Sequence, residues 1–164
     1  MTNGTVSAEL MNLLKQAIGR EIHVSVQYML QHAIGAGQAL TLPAKTPQAQ
    51  QTKFIASHSW YMLPGATLKK VAITEMRHAE AISERVVLLG GEPPTQPTPL
   101  VLGKTPKEML ENDSEEEREA IELYQQIIAF AEREHDAVTA GLFRTILADE
   151  QKHLAMFLRL LGAD

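Results

Sequence analysis

Glu-x-x-His recurs three times in this sequence, as Glu75/His78 in EMRH, Glu132/His135 in EREH and Glu150/His153 in EQKH. On a helix, residues i and i+3 point the same way, so a carboxylate and an imidazole at this spacing can hold one metal ion without distorting the backbone. Sixteen Glu and six His give about 0.6 such pairs by shuffling, so any single match carries little weight. Their positions carry more. Glu150 is in phase with Phe143, Ile146, Phe157 and Leu161, and Glu75 with Leu68, Ala72, Ala79 and Ile82, which turns both carboxylates toward an apolar core. Glu21 takes the place between Ile18 and Val24 where an apolar residue is expected, and Glu117 leads Ile121, Tyr124, Ile128 and Ala131.

Several buried carboxylates repel one another and lose hydration at several kcal/mol each, and none of the four stripes supplies an inward Lys or Arg. Two divalent ions would balance four carboxylates, and a Glu/His set with open positions suits iron or manganese. Glu132/His135 is set aside, because it falls where a helix must end for the next to return, roughly 27 Å of helix beyond Glu117. Glu116 is an alternative to Glu117, since Ala120, Leu123, Ile127 and Phe130 follow it in phase, whereas Glu122 leads to polar positions and reads as solvated. His32 is in phase with Glu21 and Tyr28 but three turns away, and reads as a core or pore residue.

Four helical stretches must position these side chains, and no long period-2 alternation suggests a sheet, so the class is all-α. Ser7 caps a first helix to about Ile34. A second runs from about Ala66 to Leu89 and stops at Gly90-Gly91, with Pro93 and Pro94 beyond. The third starts at Thr105-Pro106, a cap and first-turn signature, and reaches nearly to His135. The fourth covers about Ala137 to Leu161. Residues 90–105 carry Pro93, Pro94, Pro97 and Pro99; extended at roughly 3 Å per residue, they can cross the full length of a bundle. The expected architecture is therefore a four-helix bundle with one long crossover between the second and third helices. Residues 35–65 form an inserted loop between the first and second. Its apolar part can begin a helix at Pro47, and Phe54, Ile55, Trp60 and Tyr61 suggest a subunit contact.

With 164 residues, 45% of them hydrophobic, the chain is read as one domain, 1–164. Twenty acidic against fifteen basic residues, with no Lys/Arg run, give no footprint for nucleic acid or anionic lipid. The absence of cysteine excludes disulfides, thiolate metal sites and thiol catalysis. MTNGTVSAEL lacks the basic and apolar parts of a secretory signal, and no apolar run reaches membrane-spanning length. A soluble cytoplasmic protein is the default expectation.

The segments QAIGREIHVSVQYML, AITEMRHAEAISERVVLLGGEPP, EMLENDSEEEREAIELYQQI and ILADEQKHLAMFL resemble the helices of bacterioferritins, in the ferritin-like superfamily, over nearly the whole chain except 35–65. The resemblance implies that Glu21 and Glu117 are terminal ligands of a di-iron centre, that Glu75 and Glu150 bridge it, and that His78 and His153 complete it. The family's ungapped spacing favours Glu117 over Glu116. Tyr28 matches the family's tyrosine beside that centre, an electron donor, though it also reads as an ordinary core residue. Met76 matches the methionine that ligates a haem shared across a two-fold axis, and reads equally as packing beside Ile73, Ile22 and Met29. The implied activity is a ferroxidase that oxidises Fe(II) with dioxygen or peroxide and stores ferric mineral in a homo-oligomeric cage. Ending at Leu161-Gly-Ala-Asp, without the family's fifth helix, the chain is expected to favour about twelve subunits over twenty-four. The alternatives are a rubrerythrin-like or manganese-catalase-like peroxide scavenger and, outside enzymes, a metal-free helical assembly protein.

Overall fold

The computed structural model describes residues 6–40 and 67–162, with side chains over 6–34 and 68–162. The helix start expected at Pro47 and the contact expected of Phe54, Ile55, Trp60 and Tyr61 lie outside the described residues. Among those described there are four helices: α1 Ala8–Leu40, α2 Thr67–Leu88, α3 Pro106–Arg133 and α4 Ala137–Leu161. The first runs six residues past the expected Ile34, because nothing in Gly35–Leu40 forces a stop and Pro43 is the first strong breaker. The third ends two residues short of His135.

Local chemistry sets the boundaries. Ser7 Oγ accepts from the Leu10 amide at 3.1 Å, Thr105 Oγ1 from Glu108 at 3.2 Å, and Asp136 Oδ1 from Thr139 at 3.0 Å, each satisfying one orphan donor of a first helical turn. Glu108 Oε2 in return accepts the Lys104 amide at 2.8 Å, and Pro106 follows the cap. At the end of α2 the Gly91 amide donates to Val86 O and the Gly90 amide to Val87 O, both at 2.9 Å, with Gly90 at φ 80°. This paired 6→1 and 5→2 pattern requires a left-handed residue. The same pattern closes α3, where Asp136 donates to Ala131 O and His135 to Glu132 O, with His135, φ 60°, in the position that usually holds glycine.

Two apolar layers fix the topology. One joins Leu10, Leu14 and Ile18 of α1 to Ile82 and Val86 of α2, Leu123 and Ile127 of α3, and Phe143 and Ile146 of α4. The other joins Val24 and Tyr28 to Leu68 and Val71, to Met109 and Leu110, and to Phe157. The starts of α1 and α4 thus share one end with the finishes of α2 and α3. Sequential α2 and α3 are therefore parallel, and residues 89–105 must travel from one end of the bundle to the other. That segment is pinned to α1 halfway, where the Thr98 amide donates to Gly19 O at 3.3 Å and Thr98 O lies 3.2 Å from His23 Nδ1. Arg85 closes the α2–α4 end by donating to Asp136 Oδ1 at 2.7 Å and Thr139 Oγ1 at 2.8 Å.

A β-carbon in the left-handed region costs roughly 1–2 kcal/mol. We expect Gly90→Ala to lower unfolding stability by about 1 kcal/mol and His135→Gly to raise it by several tenths to about 1 kcal/mol. Urea denaturation of both variants checks this, and shifts of the same sign would contradict the assignment of the two caps.

Candidate metal centre

Between the two apolar layers lies a band of carboxylates. Glu21, Glu75, Glu117 and Glu150 are each no more than 1% exposed. The α3 stripe that carries Glu117 is not the one its sequence phase suggested. Ala120, Leu123 and Ile127, read as companions of Glu116, are buried together with Tyr124 and Ala131, while Ile121 and Ile128 are only half-buried. A stripe broad enough to take Asp113, Glu117, Ala120, Tyr124, Ile127 and Ala131 keeps Glu117 inside and leaves Glu116 at the edge. Glu116 instead pairs with Arg20 at 3.1 Å and approaches His23 Nε2 to 3.5 Å. Arg20, 8% exposed, corrects the expectation that no cation points inward. Its guanidinium is already engaged by Glu116.

Two four-residue groups each bring their ligand atoms within 4.8 Å of one another: Glu21, Glu75, His78 and Glu150, and Glu75, Glu117, Glu150 and His153. Glu75 and Glu150 belong to both. Each of these shared carboxylates divides its oxygens between the two imidazoles. Glu75 Oε2 is 3.0 Å from His78 Nδ1 and its Oε1 2.8 Å from His153 Nδ1; Glu150 Oε1 is 3.0 Å from His78 Nδ1 and its Oε2 3.1 Å from His153 Nδ1. An approximate two-fold axis between Glu75 and Glu150 relates α1 to α3 and α2 to α4. It extends to the tyrosines. Tyr28, seven residues after Glu21, donates to Glu117 Oε1 at 2.5 Å, and Tyr124, seven residues after Glu117, donates to Glu21 Oε1. Phe157 and Phe143, seven residues either side of Glu150, pack on these rings at centroid distances of 5.4 and 5.3 Å.

Electrostatics shows how the protein holds this charge unaided. Burial pushes Glu21 well above the usual carboxylate range, with Glu150 adding repulsion and His78 opposing it. Burial also raises Glu117, again with Glu150 and Glu75 adding repulsion. Burial works against the Glu150 anion too, but hydrogen bonds from His153 and His78 hold it at about 2. The imidazoles show the converse. Burial disfavours their charge, yet Glu150, Glu21 and Glu75 drive His78 to about 12, and Glu150 and Glu75 drive His153 to about 9. Two imidazolium rings thus act as the internal cations, and their inward N–H groups are too few for the buried oxygens around them. Glu21 Oε2, Glu75 Oε1 and Glu150 Oε1 are buried without a hydrogen-bond partner, although the last two lie near a ring nitrogen, because one N–H serves one oxygen and each Nδ1 faces more than one. Orphaned acceptors with two imidazoles and shared carboxylates fit a pair of divalent cations.

Of the other residues singled out, Glu132 is exposed and paired with Arg144, and His135 is the exposed cap residue. Both lie at the bundle end. His32 is half-buried, outside the cluster, with Nδ1 unpartnered. Met76 is 55% exposed on the outer face of α2 beside Ile73 at 37%, with Val26 and Leu30 of α1 at 45% and 41%; Ile22 and Met29 are half-buried. Sequence reasoning missed Tyr124, although its offset from Glu117 repeats that of Tyr28 from Glu21. It also missed Asp113, whose Oδ1 accepts from Gln27 at 2.9 Å and Gln31 at 2.7 Å. Burial lifts that carboxyl to about 7 against those two hydrogen bonds. Polar residues on an apolar stripe carry no signal of which neighbour they meet.

A family model described as the ferritin-like domain matches residues 57–164. The bacterioferritin of Desulfovibrio desulfuricans is 33% identical over 151 residues, which cover 92% of this chain and 73% of that protein. The chain belongs to the bacterioferritin family. Its similarity to the Mycobacterium avium bacterioferritin is 42% over 81 residues, about half of each chain (49% and 51%). Among solved structures, a Rhodobacter capsulatus bacterioferritin, described with a metal-free dinuclear site and a haem iron in a crystallographic special position, superposes with a TM-score of 0.73 at 23% identity over 95% of this chain and 85% of that one. This last likeness bears on the fold, a ferritin-like four-helix bundle. No described helix is long and apolar enough to cross a membrane.

Metal ligands must be deprotonated to bind. At neutral pH His78 and His153 carry protons and the raised Glu21 and Glu117 favour theirs, so we expect zinc binding to the metal-free protein to release protons and to tighten as pH rises from 6 toward 8. Calorimetry in buffers of different ionisation enthalpy measures this; proton uptake, or affinity flat across that range, would contradict the assigned ligands.

Proposed function

We propose that Glu21, Glu75, His78, Glu117, Glu150 and His153 bind two ferrous ions and promote their oxidation by dioxygen or peroxide, within one ferritin-like domain spanning 1–164. The observation that carries this reading is the division of the Glu75 and Glu150 oxygens between two imidazoles, which prepares two adjacent positions with a pair of shared carboxylates. Two ferrous ions held side by side by these residues would supply two electrons to one oxidant molecule. Tyr28 and Tyr124 fix the terminal carboxylates through their hydroxyls, and in this reading Tyr28 also serves as an electron donor. Membership of the bacterioferritin family supports storage of the ferric product within a homo-oligomeric shell.

The purified protein, supplied aerobically with Fe(II), is expected to oxidise it far faster than buffer and to retain ferric iron. A Glu75→Ala/Glu150→Ala variant loses the fast phase while keeping its far-UV circular dichroism. An unchanged initial rate in that variant rules out the site, and manganese instead of iron in native protein redirects the reading to peroxide scavenging.

We further propose that copies associate through the outer face of α1 and α2 around a haem, which Met76 of each copy would hold through its thioether. A thioether is a weak neutral ligand that needs apolar, water-poor surroundings. The residues fit: Met76 and Ile73 of α2, and Val26 and Leu30 of α1, are large apolar side chains left exposed. The haem would supply one-electron transfer, and these side chains would hold it and exclude water. Protein from haem-supplied cells should show a low-spin Soret band that Met76→Leu removes; a variant spectrum identical to wild type makes Met76 a packing residue.

A further inference from the structure

We propose that Asp149 makes the two halves of the centre unequal, so that the first divalent ion is taken up between Glu21 and His78 and the second, more weakly, between Glu117 and His153. The inference rests on the two-metal reading above and concerns which position fills first. Under the approximate two-fold axis, Glu75 matches Glu150 and His78 matches His153, so the residue before each shared glutamate should match as well. It does not. Before Glu150 stands Asp149, whose Oδ2 lies 3.6 Å from His78 Nε2, an ion-pair contact rather than a hydrogen bond. Lys152 Nζ holds the other oxygen of Asp149 at 2.7 Å and keeps the carboxylate at that edge. Before Glu75 stands Thr74, and its hydroxyl is turned back on its own helix, donating to Lys70 O at 3.1 Å. A carboxylate behind the remote ring nitrogen of a ligating histidine fixes the tautomer that leaves the near nitrogen free, orients the ring and raises its basicity. Among the described residues only His78 has one.

A further observation biases the same half. His78 Nδ1 already approaches Glu21 Oε2 to 3.6 Å as well as both shared carboxylates, whereas Glu117 joins His153 only within the wider 4.8 Å grouping; the Glu21 position is closer to assembled before an ion arrives.

The test is Co(II) titration of the full-length metal-free protein by calorimetry and visible absorption. Wild type should bind two ions per chain in separated steps. Asp149→Asn should weaken the tight step by about 10- to 100-fold and leave the weak step in place. His78→Ala should remove the tight step, His153→Ala the weak one, and Thr74→Asp should narrow the gap by strengthening the second. Circular dichroism and thermal melting confirm that each variant is folded; if Asp149→Asn is not, Thr74→Asp decides, and an unchanged gap overturns the proposal. Two equal steps in wild type, a tight step that survives His78→Ala, or an unaltered tight step in folded Asp149→Asn also overturn it while leaving the two-metal reading intact. Failure of folded wild type to bind two ions sinks both.

Discussion

Four carboxylates withdrawn from water at the middle of a helical bundle are the constraint on which the rest of this structure depends. Each costs several kcal/mol to bury as an anion and repels the others. Among the described residues no lysine or arginine salt bridge is aimed at the cluster, and the one buried guanidinium, Arg20, is engaged by Glu116. The protein relies on two imidazoles and two phenol hydroxyls, which leaves three buried oxygens of these four glutamates without a partner. A core of apolar residues at these positions would be more stable. The arrangement makes physical sense as a receptor whose missing charge comes from outside.

Holding mutually repelling groups together requires a rigid frame on both sides. The two apolar layers supply it, with Phe143 and Phe157 placed one heptad before and after Glu150, each packing against the tyrosine that clamps a terminal glutamate. A seven-residue offset on α1 and again on α3 therefore serves packing and charge together. The frame also depends on the crossover. Four helices joined by short turns would alternate up and down; here α2 and α3 run parallel, so that Glu75 and Glu150 face each other across an approximate two-fold axis. The stretched proline segment makes this possible, and its tie to Gly19 and His23 of α1 couples it to the helix that carries Glu21.

The same organisation links the centre to the surface. Glu75 and Met76 are neighbours in sequence on opposite sides of α2, one fully buried and one more than half exposed. A single turn of helix therefore carries the shared carboxylate inward and presents an apolar thioether outward, and a partner bound on the outer face would lie only one helix thickness from the carboxylate cluster.

The sequence by itself determined the class, the four helices and most of the site, because a carboxylate on an apolar stripe violates the period around it and is visible without a structure. Glu21, Glu75, His78, Glu150 and His153 were legible in that way, and the proline-rich stretch revealed the crossover. On α3 the pattern was degenerate. Glu116 and Glu117 each led an apolar series, the buried stripe proved to mix the two, and only packing against α1 decided that Glu117 is inside while Glu116 meets Arg20. Pairing across helices was likewise beyond the sequence: that Tyr124 serves Glu21 and Tyr28 serves Glu117, that Asp113 meets two glutamines, and that Asp149 but not Thr74 backs a histidine. Periodicity reports which way a side chain points from its own helix axis. What it meets there depends on the rotation and vertical offset of the neighbouring helices, and those are fixed only when the whole bundle closes.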